Sequence, residues 1–437
     1  MNFNYACVFV VSVCLYLLQS EALAPCAPQQ VHLSLTDTPG SMYVTWASNS
    51  RCQGKGVVKY CEANNCPASN IFKKIVNVDQ YLHVDGSNTK KTRMGYTYRA
   101  TMTNLKQNTT YNYVTGIFVG NSTIFWGNSF QFKTFPNDPN WKPSVLILAD
   151  MGIDNAQAWP FIVEDALHSV DVIIHVGDFA YNLDWHIGHN GDKFMTMIEP
   201  VATRIPYMPV VGNHESHLNF SEYFNRFTTS GPHSLFYSIN VGPFHIIALN
   251  SEFYFKIEYG FDQILSQYNW LKNDLQAANK NRDKQRWIIT FCHRAMYTTS
   301  YAKIKGKEPE RIRNGFDNFP GLEKIFIDNK VDISFWAHEH NYERFYPLND
   351  YKYNISQDPH IYQNFSGIPH FIVGNAGARE TLTHFDEAHP PWSAVRKRVY
   401  GYAKLTNLNS TSLHVSAYGI HESNYSKYLM DYVTITN

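Results

Sequence analysis

Polar side chains that can bind metal ions follow a series of apolar, strand-like segments beyond residue 143. They are Asp150, Asp178 with Tyr181, Asn213 with His214, His293, and His338 with His340. Because the carboxyl ends of the strands of an α/β sheet open onto one crevice, we expect these side chains to lie close together. Carboxylates, a phenol, an amide and imidazoles form a mixed oxygen and nitrogen ligand set that suits iron, zinc or manganese.

This set contains more ligands than one ion needs. A shared Asp178 could bridge two metals about 3.5–4 Å apart, as in two-metal hydrolytic sites. His338 and His340 alternate along the chain, so in an extended segment both would point to the same side and form a chelate. Each residue also has a plainer explanation: Asp150 precedes Met151-Gly152 as a turn former would, and a single His293 or Tyr181 is more often a packing residue. We favour one metal site because these separate explanations would all have to hold together.

The elements that must position these residues are apolar segments alternating with helical patterns. The strand segments are "SVLILAD", "VDVIIHVGD", "YMPVVGNHE", "FHIIALNS", "RWIITFCH", "VDISFWAHEH" and "HFIVGNAG", and the helical segments are "AQAWPFIVEDALHS", "GDKFMTMIEPVAT" and "QILSQYNWLKNDLQAANK". Strands so uniformly apolar are covered on both faces, and this predicts a layered α/β domain with its sheets in the middle.

The residues before this α/β part have a different pattern. Short aromatic-rich or alternating segments such as "SMYVTW", "TYRATMT" and "TTYNYVTGIFVG" lie between turn residues, which predicts an all-β sandwich over residues 27–136. A polar, proline-punctuated linker follows at 137–143, and the α/β domain takes residues 144–437.

The N-terminus predicts secretion. An apolar stretch from Ala6 to Leu18 is followed by small residues, which is typical of a signal peptide, here 1–22, with an uncleaved anchor as the alternative. No later segment is apolar enough to span a bilayer. Four cysteines crowd into the sandwich and are expected to form two disulfides of open connectivity: Cys26, Cys52, Cys61 and Cys66. Cys292 is left as a buried free thiol.

Glycosylation signals agree with a secreted or lysosomal protein. The sequons lie at Asn108, Asn121, Asn219, Asn354, Asn364, Asn409 and Asn424. Lys plus Arg and Asp plus Glu both total 37 of 437 residues, so no overall field favours nucleic acid or an acidic membrane surface. An anionic partner must be held by a local site, and the oligomeric state stays open.

In this order, the segments "DMG", "GDFAY", "GNHE", "CH" and "HEH" resemble the motif blocks of the metallophosphoesterases, and the tyrosine of "GDFAY" narrows the resemblance to the purple acid phosphatases. The resemblance includes the fibronectin type III-like N-terminal module of that family ("PQQVHLSLTDTPGSMYVTW"), "NYERFYP", and the C-terminal "YGYAKLTNLNSTSLHV". It covers nearly the whole mature chain and implies a layered α-β-β-α catalytic domain.

The resemblance implies a binuclear Fe(III)–M(II) centre, where M is iron, zinc or manganese. The implied ferric ligands are Asp150, Asp178, Tyr181 and His340. The implied ligands of the divalent ion are Asp178, Asn213, His293 and His338. His214 would contact the phosphate and assist the leaving group; in an extended segment its side chain would point away from that of Asn213, and so away from the metals.

The implied activity is that of an acid phosphatase, in which a metal-bound hydroxide attacks the phosphorus of a phosphate monoester on a small molecule or phosphoprotein. Ala337 and Thr290 replace a usual glycine and valine beside ligands, a small departure. The loop "RAMYTTSYAKIKGKEPERIR" lacks the substrate-contacting histidines of the plant enzymes, which leaves Lys303, Lys305 and Lys307 as a solvated basic loop or as phosphate contacts. A nucleotide phosphodiesterase or pyrophosphatase, and a non-catalytic binding glycoprotein, are the alternatives.

Overall fold

A computed structural model describes residues 26–48, 52, 54–86, 91–120, 123–230, 234–300 and 307–436. The predicted signal peptide, Asn121, Lys303 and Lys305 lie outside the described residues. Strands are numbered β1 to β26 and helices α1 to α6 in chain order. Among the described residues, none of the helices combines the length and the apolar character that a membrane crossing needs.

The N-terminal part is a sandwich of two four-stranded antiparallel sheets. The first sheet has the order β1-β2-β6-β5, and the second β4-β3-β7-β8. In chain order the strands are Gln29–Leu35, Met42–Ala47, Lys55–Glu62, Phe72–Val76, Val78–Val84, Thr92–Met102, Thr110–Val119 and Thr123–Lys133. The sheets pack closely: a Cβ at Gly56 of the second sheet would lie 2.7 Å from the Trp46 ring of the first. The predicted all-β module is therefore confirmed.

Two disulfides lie in this module, as the cysteine pattern predicted. They join Cys26 to Cys52 and Cys61 to Cys66. Cys292 is a buried free thiol, as expected.

The second part contains two seven-stranded sheets. One has the order β11-β10-β9-β24-β25-β26-β21, and the other β12-β13-β14-β17-β22-β18-β23. In chain order, β9 to β26 are Ser144–Leu148, Val172–Val176, Tyr207–Val210, Tyr237–Val241, Phe244–Leu249, Trp287–Arg294, Gly315–Phe316, Phe319–Pro320, Ile333–Ala337, Tyr342–Phe345, Leu348–Asn349, Lys352–Tyr353, Ile361–Tyr362, His370–Val373, Ser393–Lys397, Gly401–Asn409, Ser412–His421 and Ser426–Thr436.

Helices cover the outer faces of these sheets. In chain order, α1 to α6 are Trp159–Ser169, His189–Ala202, His217–Arg226, Asp262–Lys280, Glu308–Asn314 and Glu323–Asp328. Alternate residues of β9 point to opposite faces of the sheet. Val145 and Ile147 are part of the core between the sheets, whereas Leu146 and Leu148 are part of the core under the helices. Of the apolar positions whose spacing predicted α4, Leu271 and Leu275 are buried, whereas Leu265 is 41% exposed. This is the expected α-β-β-α arrangement.

All seven predicted strands of the catalytic domain are present. The strands β9, β10 and β11 are parallel, and so are β13, β14, β17 and β22, so their carboxyl ends share one edge in each sheet. Among the antiparallel C-terminal strands, β24, which pairs with β9, and β25 were covered only by the resemblance, and β26 was not predicted.

Candidate metal centre

The carboxyl ends of the parallel strands bring the predicted residues into two adjoining groups. In the first group, Asp150 follows β9, and its Oδ1 lies 3.4 Å from Nε2 of His340. The same Nε2 is 2.9 Å from the phenol oxygen of Tyr181. All three side chains are buried.

In the second group, His293 at the end of β14 is the central residue. Its Nε2 lies 3.2 Å from Oδ2 of Asp178 and 3.2 Å from Oδ1 of Asn213. Asp178, His293 and His338 each offer a ligand atom, and these atoms lie within 4.8 Å of one another. The His293 Nδ1 lies 2.8 Å from the Val176 carbonyl, which fixes the proton on Nδ1 and directs Nε2 toward the site.

Asp178 acts on both groups. It raises the pKa of His340 in the first group as well as that of His293 in the second. Burial alone would lower the pKa of His293, but Asp178 above all raises it to about 10. Burial would likewise lower the pKa of His340, and Asp150 raises it to about 9. The carboxylates therefore give the crevice an anionic field that favours cations.

Two geometric predictions from the sequence are wrong. His338 is not extended: β17 ends at Ala337 and His338 has a φ of 70°. Because of this turn the two rings separate: that of His338 lies 5.1 Å from that of His293, whereas His340 lies against Tyr181. The histidine pair is therefore divided between the groups and does not form the predicted chelate.

The second wrong premise concerns His214. Asn213–Glu215 forms a 3-10 turn rather than an extended segment. The His214 ring lies between the two groups, 4.7 Å from the ring of Tyr181, with its Nδ1 2.9 Å from Oδ1 of Asn182, and its backbone N–H donates to Oδ1 of Asp178 at 2.9 Å. Its Nε2 is 3.9 Å from Oδ2 of Asp178.

Glu215 is a residue of the site that sequence reasoning missed. Its side chain is buried, and its two carboxylate oxygens accept hydrogen bonds from the backbone N–H groups of Asp178 at 2.8 Å, Phe179 at 3.0 Å and Gly212 at 2.9 Å. Burial and the nearby Asp178 raise the pKa of Glu215 to about 8. The carboxylate therefore joins the "GDFAY" and "GNHE" turns. A glutamate inside "GNHE" was the available signal.

Arg294 was also missed, although a charged residue directly after His293 was a signal. Its Nη1 is 2.9 Å from Nε2 of His338 and 2.7 Å from Glu308, and its Nε is 2.9 Å from both carboxylate oxygens of the buried Glu252. With Nε2 of His338 turned to Arg294, Nδ1 is the nitrogen that we expect to face a metal. Lys307, directly before α5, is exposed.

The residues fit a metal pair. Asp150 Oδ1 is buried, and its partner among the described residues, Nε2 of His340, lies 3.4 Å away, longer than an ordinary hydrogen bond, as expected of a carboxylate that binds a metal. The glycines of the turns make room for the ligands: a Cβ at Gly212 would lie 2.3 Å from Oδ1 of Asp178, and one at Gly177, which has a φ of 84°, would lie 2.4 Å from Nδ1 of His293. The donor set is of the mixed carboxylate, phenol and imidazole kind that binds iron and zinc.

Comparisons with known proteins agree with this architecture. Family models match residues 28–134 (purple acid phosphatase, N-terminal domain), 143–342 (calcineurin-like phosphoesterase) and 367–425 (iron/zinc purple acid phosphatase-like protein C). The chain is 39% identical to acid phosphatase type 7 of Mus musculus, over 89% of this chain and 86% of the relative. It is also 39% identical to that of Homo sapiens, over 92% and 91%.

A solved structure extends the likeness to the fold. A purple acid phosphatase isolated from yellow lupin seeds superposes with a TM-score of 0.78 at 24% identity, covering 94% of this chain and 75% of the lupin chain. The sandwich and the layered α/β part therefore occur together in a solved protein.

Proposed function

The chain belongs to the purple acid phosphatase family, and from that premise we propose that it is a secreted or lysosomal acid phosphatase that hydrolyses phosphate monoesters at an Fe(III)–M(II) centre. The observation that supports this most is the convergence of buried carboxylate, phenol, amide and imidazole ligands at one edge of the sheets. The disulfides fit the oxidising compartments of the secretory pathway. Exposed sequon asparagines, such as Asn354 and Asn409, fit glycosylation there.

In the proposed centre, Asp150, Tyr181 and His340 would hold the ferric ion. Asn213, His293 and His338 would hold the divalent ion, which would be iron, zinc or manganese, and Asp178 would be shared by both ions. Carboxylate and phenolate are hard anionic donors that favour Fe(III), whereas neutral imidazole and amide leave more positive charge on the second ion. When bound, the metal pair supplies an ionised water as nucleophile and absorbs charge on the phosphate.

The residues of the chain have separate roles in this reaction. Burial of the Asp150 and Tyr181 groups excludes water from one side of the crevice. Burial, Asp150 and Asp178 raise the pKa of Tyr181 well above its usual value, so the phenol keeps its proton until a metal replaces it. His214, whose side chain is 20% exposed, is open to a substrate beside Asp178. We assign it to the phosphate and to protonation of the leaving oxygen, and Asn213 contacts the same phosphate.

The experiment compares aryl phosphate monoesters of graded leaving-group pKa with a bis-ester, for the wild-type protein and for His214→Ala. The wild-type protein is expected to prefer monoesters. His214→Ala is expected to keep both metals and to lose roughly 10²–10⁴-fold in kcat for basic leaving groups, with a smaller loss for weakly basic ones. A preference for the bis-ester would support a phosphodiesterase instead. Metal loss, or an equal loss for all leaving groups, would remove His214 from general acid catalysis.

A further inference from the structure

The N-terminal sandwich contacts the loop that follows Tyr181. The hairpin of β5 and β6 pairs His83 with Arg93, and both side chains reach the catalytic domain. Arg93 donates from Nε to the carbonyl of Ile187 at 2.9 Å and from Nη2 to Asp192 at 2.5 Å. Its side chain is 23% exposed, so these contacts form at the edge of a buried interface.

His83 anchors the same hairpin inside the interface. Its Nδ1 lies 2.9 Å from Oε2 of Glu222, and the side chains are 1% and 4% exposed. Arg226 completes this cluster: its guanidinium bonds Glu222 at 3.1 Å, Asp192 at 2.7 Å and the Gly188 carbonyl at 2.7 Å. Buried charges of this kind are retained only with close partners, so the hairpin, α2 and α3 are held in one geometry.

Close packing leaves the loop little freedom against the hairpin. Gly188, with a φ of 81°, precedes α2, and a Cβ there would lie 2.3 Å from Nδ1 of His83. At the tip of the hairpin, a Cβ at Gly86 would lie 1.9 Å from Oδ2 of Asp184. The loop backbone at Gly188 therefore rests on His83, and the Asp184 side chain of the loop packs against the sandwich backbone at Gly86.

A chain of hydrogen bonds connects this loop to His214 in the active site. The Gly188 N–H donates to the Asp184 carbonyl at 3.0 Å. Asn190, two residues after Gly188, donates from Nδ2 to the carbonyls of Ala180 at 2.9 Å and Asn182 at 3.1 Å. Asn182 in turn contacts Nδ1 of His214 at 2.9 Å. A short chain of hydrogen bonds therefore connects the sandwich to His214, the proposed general acid.

We propose that the β5–β6 hairpin of the N-terminal sandwich is part of the catalytic apparatus: through Arg93 and His83 it positions loop 182–191, and through Asn182 it positions His214. Arg93 is a positioning residue in this account, since it touches neither substrate nor metal. The effect on catalysis rests on the proposed function. The effect on the loop does not, because it can be measured without any substrate.

The chain offers a matched control in Arg99, which lies on β6 with Arg93. Arg99 also crosses to the catalytic domain, with Nε 2.9 Å from Oγ1 of Thr228 and a further contact to the Phe224 carbonyl. Its side chain is 24% exposed, against 23% for Arg93. Its catalytic-domain partners follow or end α3 and lie outside loop 182–191. Arg99→Ala therefore removes an equivalent interface contact without releasing the loop.

The test measures hydrogen exchange, metal content and steady-state kinetics of Arg93→Ala, Arg93→Lys and Arg99→Ala in the full chain. Arg93→Ala is expected to speed amide exchange in 182–191 about tenfold and to lower kcat several-fold for basic leaving groups, with KM and both metals kept. Arg93→Lys, which keeps the charge opposite Asp192, should recover part of both effects. Arg99→Ala should leave the amide exchange of the loop and kcat at the wild-type level.

The inference is overturned if Arg93→Ala and Arg99→Ala behave alike, or if exchange in the loop rises without any change in kcat. Metal loss in Arg93→Ala would also overturn it, since the residue would then support the metal centre and not His214. If the wild-type protein hydrolyses no monoester, the proposed function fails. The exchange comparison then still tests whether the hairpin orders the loop.

Discussion

Replacement of Glu215 by glutamine isolates the role of one carboxylate beneath the metal centre. In the wild-type protein Oε2 accepts from the N–H groups of Asp178 and Gly212, and Oε1 accepts from that of Phe179. Glutamine has a single acceptor oxygen. If that oxygen keeps the Asp178 and Gly212 bonds, the amide NH₂ faces the Phe179 N–H, and a buried donor loses its acceptor.

The expected cost follows from this count of bonds. Glutamine leaves one buried N–H donor without its acceptor, and a buried unsatisfied donor costs roughly 1–3 kcal/mol. We therefore expect Glu215→Gln to lower the free energy of unfolding by about 2 kcal/mol, or Tm by roughly 4–8 °C for a domain of this size. Because Glu215 joins the turns that carry Asp178 and Asn213, metal affinity should fall about 10–100-fold.

The assay is denaturant unfolding of the metal-stripped protein, followed by competition for metal with a chelator. Asp431→Asn is the matched control: Asp431 is buried and pairs with Arg344 at 2.7 Å, on strands remote in sequence from both turns. The control should lose stability and keep its metal affinity. A Glu215→Gln protein with wild-type stability and wild-type metal affinity would refute the role of this carboxylate as a clamp.

Further predictions concern the bridge between the metals and the dependence of stability on pH. Asp178→Asn should deplete both metals, whereas His293→Ala should release mainly the divalent one; equal loss in the two variants, measured by elemental analysis, would contradict the bridge. Burial raises the pKa of Glu199 to about 7 although Gln30 donates to it, so its neutral form is the favoured one in the folded protein. The associated stability is complete below the unfolded pKa near 4.5 and is lost as pH rises through 7, about 3 kcal/mol in all. Glu199→Gln should flatten this decline in unfolding experiments at pH 4.5 and 8, and an unchanged slope would contradict the assignment.

The positions of the strand ends could be predicted because the apolar pattern of each segment shows where a buried strand begins and ends. Segments such as those before Asp150 and His293 are continuously apolar, which requires cover on both faces, and parallel strands deliver their carboxyl ends to one edge. The backbone turn at the histidine pair was not predictable from alternation. An extended segment would put His338 and His340 on the same side. His338 instead has a positive φ, and the two residues lie in different groups.

The contacts between the two domains could not be predicted from the sequence either. His83 and Arg93 lie far from Arg226 along the chain, and each of the three alone is consistent with a solvated surface residue. Only the packing of the sandwich on α2 and α3 brings them together. Glu215 was missed for a related reason, since a buried glutamate becomes explicable only when the backbone N–H groups that it accepts are known.

The central claim, a metal pair with Tyr181 bound to Fe(III), is tested most directly by one spectrum taken together with metal analysis of the same sample. The oxidised protein should contain two metals per chain and show a broad visible band from tyrosinate-to-Fe(III) charge transfer. Tyr181→Phe should abolish the band while iron remains bound through the other ligands. A wild-type protein that contains stoichiometric iron and is colourless, or a Tyr181→Phe protein that keeps the band, would contradict the account.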